Sequence, residues 1–243
     1  MIEKEQGYVQ IPCGGGKTFL GAVAMIQSGQ SGIVFVHTKD LLFQWKETFQ
    51  QMGIKTVRTI RSMRSDMSRL KSKQICVAMV QSTAQCIDAG LADDILGSAG
   101  AVIMDEAHHC PADMFQRVLH RCSARYRWGL TATPERPDGF SFVIPMMLGE
   151  EIFKMSVHEL VKGGYLLTPK IVPVKVSGSK NIKSFSSVRM DMQSVIKEIT
   201  QDADRNYYIV GLVMLAIRFN RKILVLVPRK EQAKKLDFWL KKR

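Results

Sequence analysis

Short apolar runs alternate with amphipathic stretches along this chain, and the apolar runs show little internal polar alternation. A strand with one wet face alternates strictly, whereas a strand buried on both faces reads as a near-continuous Val- and Ile-rich run. Runs of the second kind cover residues 8–11, 33–37, 56–60, 75–80, 101–105 and 127–131. Helical patterns follow at 18–27, 39–52 and 112–122. This order predicts an α/β fold with a mostly parallel sheet, and a first domain over residues 1–153. Residues 154–243 change character. A helix is expected over 157–162, stopped by Gly163-Gly164, then a strand over 171–176 and a Ser-, Gly- and Lys-rich loop over 177–187. Residues 204–218 form a helix pattern that is apolar nearly all round, as in a buried element. A buried strand is expected over 223–227 and a basic helix over 231–242. This second region reads as a linker and an incomplete second domain.

A chain of 243 residues with 46% hydrophobic content is ordinary for a globular protein. Its formal charge of +13 is not, and it points to a polyanionic partner such as nucleic acid. Between Lys55 and Lys73 the bases Arg58, Arg61, Arg64, Arg69 and Lys71 face a single acid, Asp66. A solvated face is the usual meaning of such a run, and an additional nucleic-acid surface is the alternative. The five cysteines show no paired spacing, and a disulfide at Cys13 would distort the glycine-rich loop around it. They read as reduced thiols in an intracellular protein, cytoplasmic or nucleoid-associated. His108, His109, Cys110, His120 and Cys122 lie close in sequence but fit no common zinc spacing. The longest apolar stretch, 209–217, is too short to cross a bilayer, so no membrane partner is expected.

Two motifs carry chemistry. Residues 11–18 read Ile-Pro-Cys-Gly-Gly-Gly-Lys-Thr. A strand would deliver the loop, and Pro12, Cys13, Gly14, Gly15 and Gly16 would turn backbone N–H groups toward phosphate oxygens. The helix opening after the loop adds roughly half a positive charge from its dipole. Lys17 would reach the β- and γ-phosphates, and the Thr18 hydroxyl would ligate Mg²⁺. Residues 105–109 read Asp-Glu-Ala-His-His, at the end of an apolar strand. Asp105 would hold Mg²⁺, and Glu106 would orient and deprotonate the water that attacks the γ-phosphorus. Ile11 stands where the general phosphate-loop pattern has Gly or Ala.

The order of motifs resembles the superfamily 2 helicases and translocases. Residues 11–18 are similar to their motif I, 35–45 to motif Ia, 77–83 to motif Ib, 105–109 to motif II and 129–139 to motif III. The loop, the DEAHH sequence and Gly-Leu-Thr-Ala-Thr-Pro-Glu-Arg over 129–136 resemble the XPB-like and phage UvsW-like branch, with restriction-enzyme motor subunits as near relatives. The resemblance implies a RecA-like P-loop NTPase domain followed by the start of a second one. It implies ATP and Mg²⁺ as cofactors and nucleic acid, DNA favoured, as partner. By the same resemblance His108 links the hydrolysis site to motif III, and Thr131 and Thr133 carry motion toward the strand. Thr38, Gln81 and Ser82 would touch one strand's backbone, and Arg136 a nucleic acid or a second domain. Polar contacts of this kind position a strand without reading its sequence.

Two departures from the family pattern shape the expectation. Only ten residues precede Ile11, and none spells the family's adenine-reading motif. Nothing resembles motifs V and VI after the motif-IV-like residues 222–236, so the arginine that motif VI carries to the γ-phosphate is missing. Such an arginine contributes roughly a thousandfold or more to turnover. The reading is therefore the front portion of an ATP-dependent helicase or translocase with little activity alone. The alternatives are a binding or assembly module without a cycle, or one half of a split motor completed by another chain. A P-loop nuclease or kinase fits less well, because motif III has no role there. The apolar elements after residue 200 lack the rest of their sheet, so the isolated chain should self-associate. Light scattering checks this, and a monodisperse monomer would count against it.

Overall fold

The apolar runs of the first half become strands of one sheet. The computed structural model describes residues 1–135, 138–176 and 192–242. Among these, the strands are β1 (Gln6–Gln10), β2 (Gly32–Val36), β3 (Val57–Ile60), β4 (Ile75–Met79), β5 (Ala101–Asp105), β6 (Tyr126–Thr131) and β7 (Glu151–Lys154). They lie in the order β3-β4-β2-β5-β6-β1-β7, and every pairing is parallel. Between them run α1 (Lys17–Gln27), α2 (Lys39–Gln51), α3 (Val80–Asp88), α4 (Asp93–Ser98), α5 (Asp113–Arg121) and α6 (Val143–Leu148), with α7 (Val157–Lys162) after β7. All belong to a compact unit spanning Met1–Pro169.

The sheet is covered on both faces. Val34, Ile103 and Leu130 join Met25, Trp45 and Phe49 of α1 and α2 in one apolar layer. Ile33, Phe35, Val102 and Met104 join Cys86, Phe115 and Leu119 of α3 and α5 in the other. Neighbours along β5 thus enter opposite layers, as the pleat requires, and all five residues of β5 are buried. This explains why the apolar runs show no polar alternation. β7 was not expected from the sequence. Its Glu-Ile-Phe-Lys composition lacks a continuous apolar run, and at the sheet edge beside β1 it does not need one.

The sheet also sets the separation of the two motifs. β6 lies between β1 and β5, and its Leu130 pairs with Val9 on one side and Asp105 on the other. Two strand spacings place the ends of β1 and β5 roughly 10 Å apart, room for a phosphate group between them.

A second compact unit, Lys170–Arg243, contains α8 (Met192–Gln201), α9 (Ala203–Arg218) and α10 (Lys230–Lys241). Buried Asn206 ties the three helices: its Nδ2 donates to the Thr200 carbonyl at 2.8 Å and its Oδ1 accepts from Gln232 Nε2 at 2.9 Å. Tyr207 stacks on Trp239 with ring centroids 4.3 Å apart. The structure corrects three expectations here. Residues 171–176 and 223–227 are not strands, because no strand among the described residues runs beside either to accept their hydrogen bonds. Leu224 and Leu226 are 82% and 83% exposed. The helix over 204–218 forms as α9 but is not enclosed: of its residues Asn206 and Val210 are buried, while Leu212, Leu215 and Ile217 face outward. The loop expected over 177–187 lies outside the described residues.

Ile103 sits at the centre of β5 with no exposed surface. Ile103→Ala is expected to lower the unfolding free energy by about 2–5 kcal/mol, the cost of lost burial plus a cavity that closely packed strands cannot close. Urea denaturation followed by circular dichroism measures it.

Candidate functional site

The loop between β1 and α1 is held from behind. Its entry is anchored by Ile11 N–H, which donates to the Thr131 carbonyl at 2.9 Å, and Gly15 N–H donates to the Pro12 carbonyl at 3.1 Å. Gly14 and Gly16 take φ values of 80° and 82°, the left-handed region that side chains disfavour. Gly16 is the N-cap of α1 and, as a glycine, makes no side-chain cap hydrogen bond. By contrast Thr38 caps α2, its Oγ1 accepting from Leu41 N–H at 3.3 Å. The first turn of α1 therefore lacks the N-cap acceptor that α2 has, an arrangement suited to an anion. Lys17 Nζ donates to the Ile11 carbonyl at 3.2 Å, so the ammonium lies folded across its own loop.

β5 ends at Asp105, which is 3% exposed. Successive strand residues point to opposite faces, which would separate Asp105 from Glu106. Glu106 instead adopts φ 51°, ψ 55°, a left-handed turn that lets both carboxylates line the same cavity. A non-glycine residue in this region is strained, by of order 1–3 kcal/mol. Asp105 Oδ1 accepts from Glu106 N–H at 3.0 Å and Oδ2 accepts from Trp45 Nε1–H at 2.7 Å. Burial pushes the Asp105 carboxyl above its ordinary value; the Trp45 hydrogen bond opposes this, the Glu106 charge adds to it, and the Glu106 N–H and the Lys17 ammonium oppose it. Lys17 therefore acts electrostatically on Asp105 although the two are 88 positions apart in the sequence.

A cavity of about 480 Å³ collects these groups, with Gly14, Gly16, Lys17, Thr18, Asp105 and Glu106 in its wall. Cys13 is also in the wall and exposed. Pro12 and Gly15 support the loop: a Cβ built on Gly15 would stand 2.4 Å from Ile11 Cγ2 and 3.1 Å from the Pro12 carbonyl. The donor set is hard oxygen, the Asp105 carboxylate and the Thr18 hydroxyl, which suits Mg²⁺. α2 contributes Gln44, whose Nε2 donates to Thr18 Oγ1 at 3.4 Å. Gln44 and Trp45 stand together within the motif-Ia-like segment, but apolar periodicity marks Trp45 only as core.

His108 joins two motifs. Its Nδ1 lies 3.3 Å from Glu106 Oε2 and 3.3 Å from Thr131 Oγ1. Thr131 Oγ1 in turn accepts from Thr133 N–H at 3.3 Å. Thr38 and Gln81 stand where β2 and β4 end, and Gln81 Nε2 donates to the His37 carbonyl at 3.1 Å. Ser82, in α3, is 7% exposed. Arg136 lies outside the described residues.

The raised Asp105 pKa has a stability consequence. Unfolding returns the group to its ordinary value of 3.8, so the folded chain holds this proton more tightly than the unfolded chain does. Its favourable contribution is complete below pH 3.8 and is lost as pH rises through the folded value. Asp105→Asn cannot ionise. Its amide must turn an N–H toward one of the two donors, a cost independent of pH, so the signature is the trend: its melting temperature relative to wild type should rise as pH rises. Thermal melts across pH, without nucleotide or divalent cation, test this; a gap independent of pH would refute it.

The family described as type III restriction enzyme, res subunit, matches residues 2–136. The chain is 28% identical over 176 residues to the DNA 3'-5' translocase XPB2 of Sulfurisphaera tokodaii, an alignment covering 72% of this chain and 38% of that protein. It is 29% identical over 168 residues to the general transcription and DNA repair factor IIH helicase/translocase subunit XPB/SSL2 of Saccharomyces cerevisiae, covering 66% and 20%. The solved structure of the ATP-dependent type ISP restriction-modification enzyme LlaBIII bound to DNA is similar in fold, with a TM-score of 0.52 at 17% identity over 67% of this chain and 14% of that one. The chain thus spans less than two fifths of the length of each of these proteins. The matched segment contains the phosphate loop, both carboxylates and most of the parallel sheet, and it is more than half of the sequence; the chain belongs to the type III restriction enzyme res-subunit family.

Proposed function

We propose that the first unit is the ATP-binding part of a nucleic-acid helicase or translocase, coupling hydrolysis to movement along a strand. The observation that carries this reading is the cavity into which the uncapped α1 amides, Lys17, Thr18, Asp105 and Glu106 all open. The relatives' names specify DNA, which favours DNA as the polymer. Residues 1–153 supply the RecA-like core on this reading, and 154–243 a linker and the opening elements of a second such domain. No described helix is long and apolar enough to cross a membrane.

The loop amides and Lys17 hold the triphosphate, with Lys17 exchanging the Ile11 carbonyl for phosphate oxygens. Thr18 and Asp105 would hold Mg²⁺, and a cation held there would neutralise charge on the phosphates. Glu106 orients the attacking water and takes its proton on a carboxylate oxygen, while Oε2 stays beside His108 Nδ1. His108 then reports the state of Glu106 to Thr131, and Thr131 to Thr133. Thr38 and Gln81, at the same edge of the sheet, contact the strand's phosphates. The outward apolar residues of α9 and of 223–227 support a second element of the proposal, a surface completed by further polypeptide.

Glu106→Gln should lower ATP hydrolysis by roughly 10²–10⁴-fold while leaving magnesium-dependent nucleotide binding intact, and Lys17→Ala should weaken that binding itself. Phosphate release and titration with a fluorescent ATP analogue separate the two. Wild-type protein that takes up no nucleotide with Mg²⁺ would overturn the motor reading. DNA binding indifferent to nucleotide in wild type and Lys17→Ala alike would favour a passive module.

A further inference from the structure

We infer that Trp45 is a positioning residue for Asp105, fixing the carboxylate's orientation toward the metal and its distance from the phosphate loop. The inference rests on the nucleotide-site reading above and adds a residue from outside the phosphate-loop and carboxylate motifs.

The indole N–H meets Asp105 Oδ2 at 2.7 Å in a buried setting, across 60 residues of sequence. Glu106 N–H meets Oδ1. Each oxygen therefore has one fixed donor, from α2 and from the turn after β5, and the carboxylate plane is held from two sides. Neither donor carries charge. An arginine or lysine at the position of Trp45 would neutralise the carboxylate and compete with a cation, whereas an indole donates and can do nothing else. Two neutral donors thus remove the carboxylate's rotational freedom without placing a competing cation beside it.

The ring is itself immobile. It has no exposed surface, and Phe49, one turn along α2, packs beside it with centroids 5.8 Å apart. Its far edge lies against α1: a Cβ built on Gly21 would come within 2.6 Å of Trp45 Cη2. Gly21 is one turn after Lys17, in the helix that the phosphate loop opens. One rigid side chain thus touches both halves of the site, the carboxylate with its polar end and the loop's helix with its apolar edge.

The test replaces the N–H without changing the shape. Trp45 is exchanged for 3-(benzothiophen-3-yl)alanine, sulfur in place of N–H, alongside Trp45→Phe. Nucleotide affinity is measured without divalent cation, and the Mg²⁺ concentration giving half-maximal ATP hydrolysis is measured on the same preparations. Loss of a hydrogen bond to a charged group should raise the Mg²⁺ requirement about tenfold to a hundredfold, with metal-free affinity unchanged. A purely structural indole predicts an unaltered Mg²⁺ requirement in the benzothienyl variant; that result overturns the inference and leaves the nucleotide site standing. Wild-type protein without magnesium-dependent nucleotide uptake would remove the site and the inference together.

Discussion

Burying both faces of a parallel sheet is the constraint from which the rest of the first unit follows. Parallel strands need crossover helices, and those helices must cover the sheet on both sides. Every strand then ends at one edge, and so do the loops that leave it. The order β5-β6-β1 brings the carboxylates after β5 and the loop after β1 to that edge one strand apart. No direct bond between the motifs is needed to hold them there. Backbone pairing through β6, with Leu130 level with both Val9 and Asp105, sets the spacing.

Much of this was legible before any coordinates. Runs such as Ala-Val-Ile-Met-Asp over 101–105 are apolar without alternation, as strands buried on both faces are. The phosphate loop was legible because three glycines before Lys-Thr have few other uses. What failed shares one cause: a pattern of apolar residues reports what a segment needs to bury, not whether a partner is at hand. Residues 171–176 and 223–227 have strand composition but no neighbouring strand among the described residues, and α9 is apolar nearly all round yet faces outward on much of its surface. Edge strand β7 was missed for the converse reason, since it needs little burial. Within the site, Trp45 was hidden because a tryptophan at helical spacing reads as core, which it is; only distance shows that its one polar atom has a job as well.

Asp105 and Glu106 both work against the stability of the fold. The first is a desolvated carboxylate whose charge is disfavoured by burial. The second holds a left-handed backbone that glycine would adopt without strain. Strain and desolvation at adjacent residues are the expected marks of a site whose surroundings are completed by a ligand. The fold tolerates them because β5, behind them, is buried along its whole length.

The Thr131 peptide has a double engagement. Its carbonyl fastens the mouth of the phosphate loop through Ile11, and its hydroxyl lies beside His108 and accepts from Thr133. Thermodynamic linkage makes any traffic through such a junction two-way. If filling the cavity shifts Thr131, then a load arriving at Thr131 from the other direction must change how tightly that cavity is filled, so the same few atoms would act as both lever and brake.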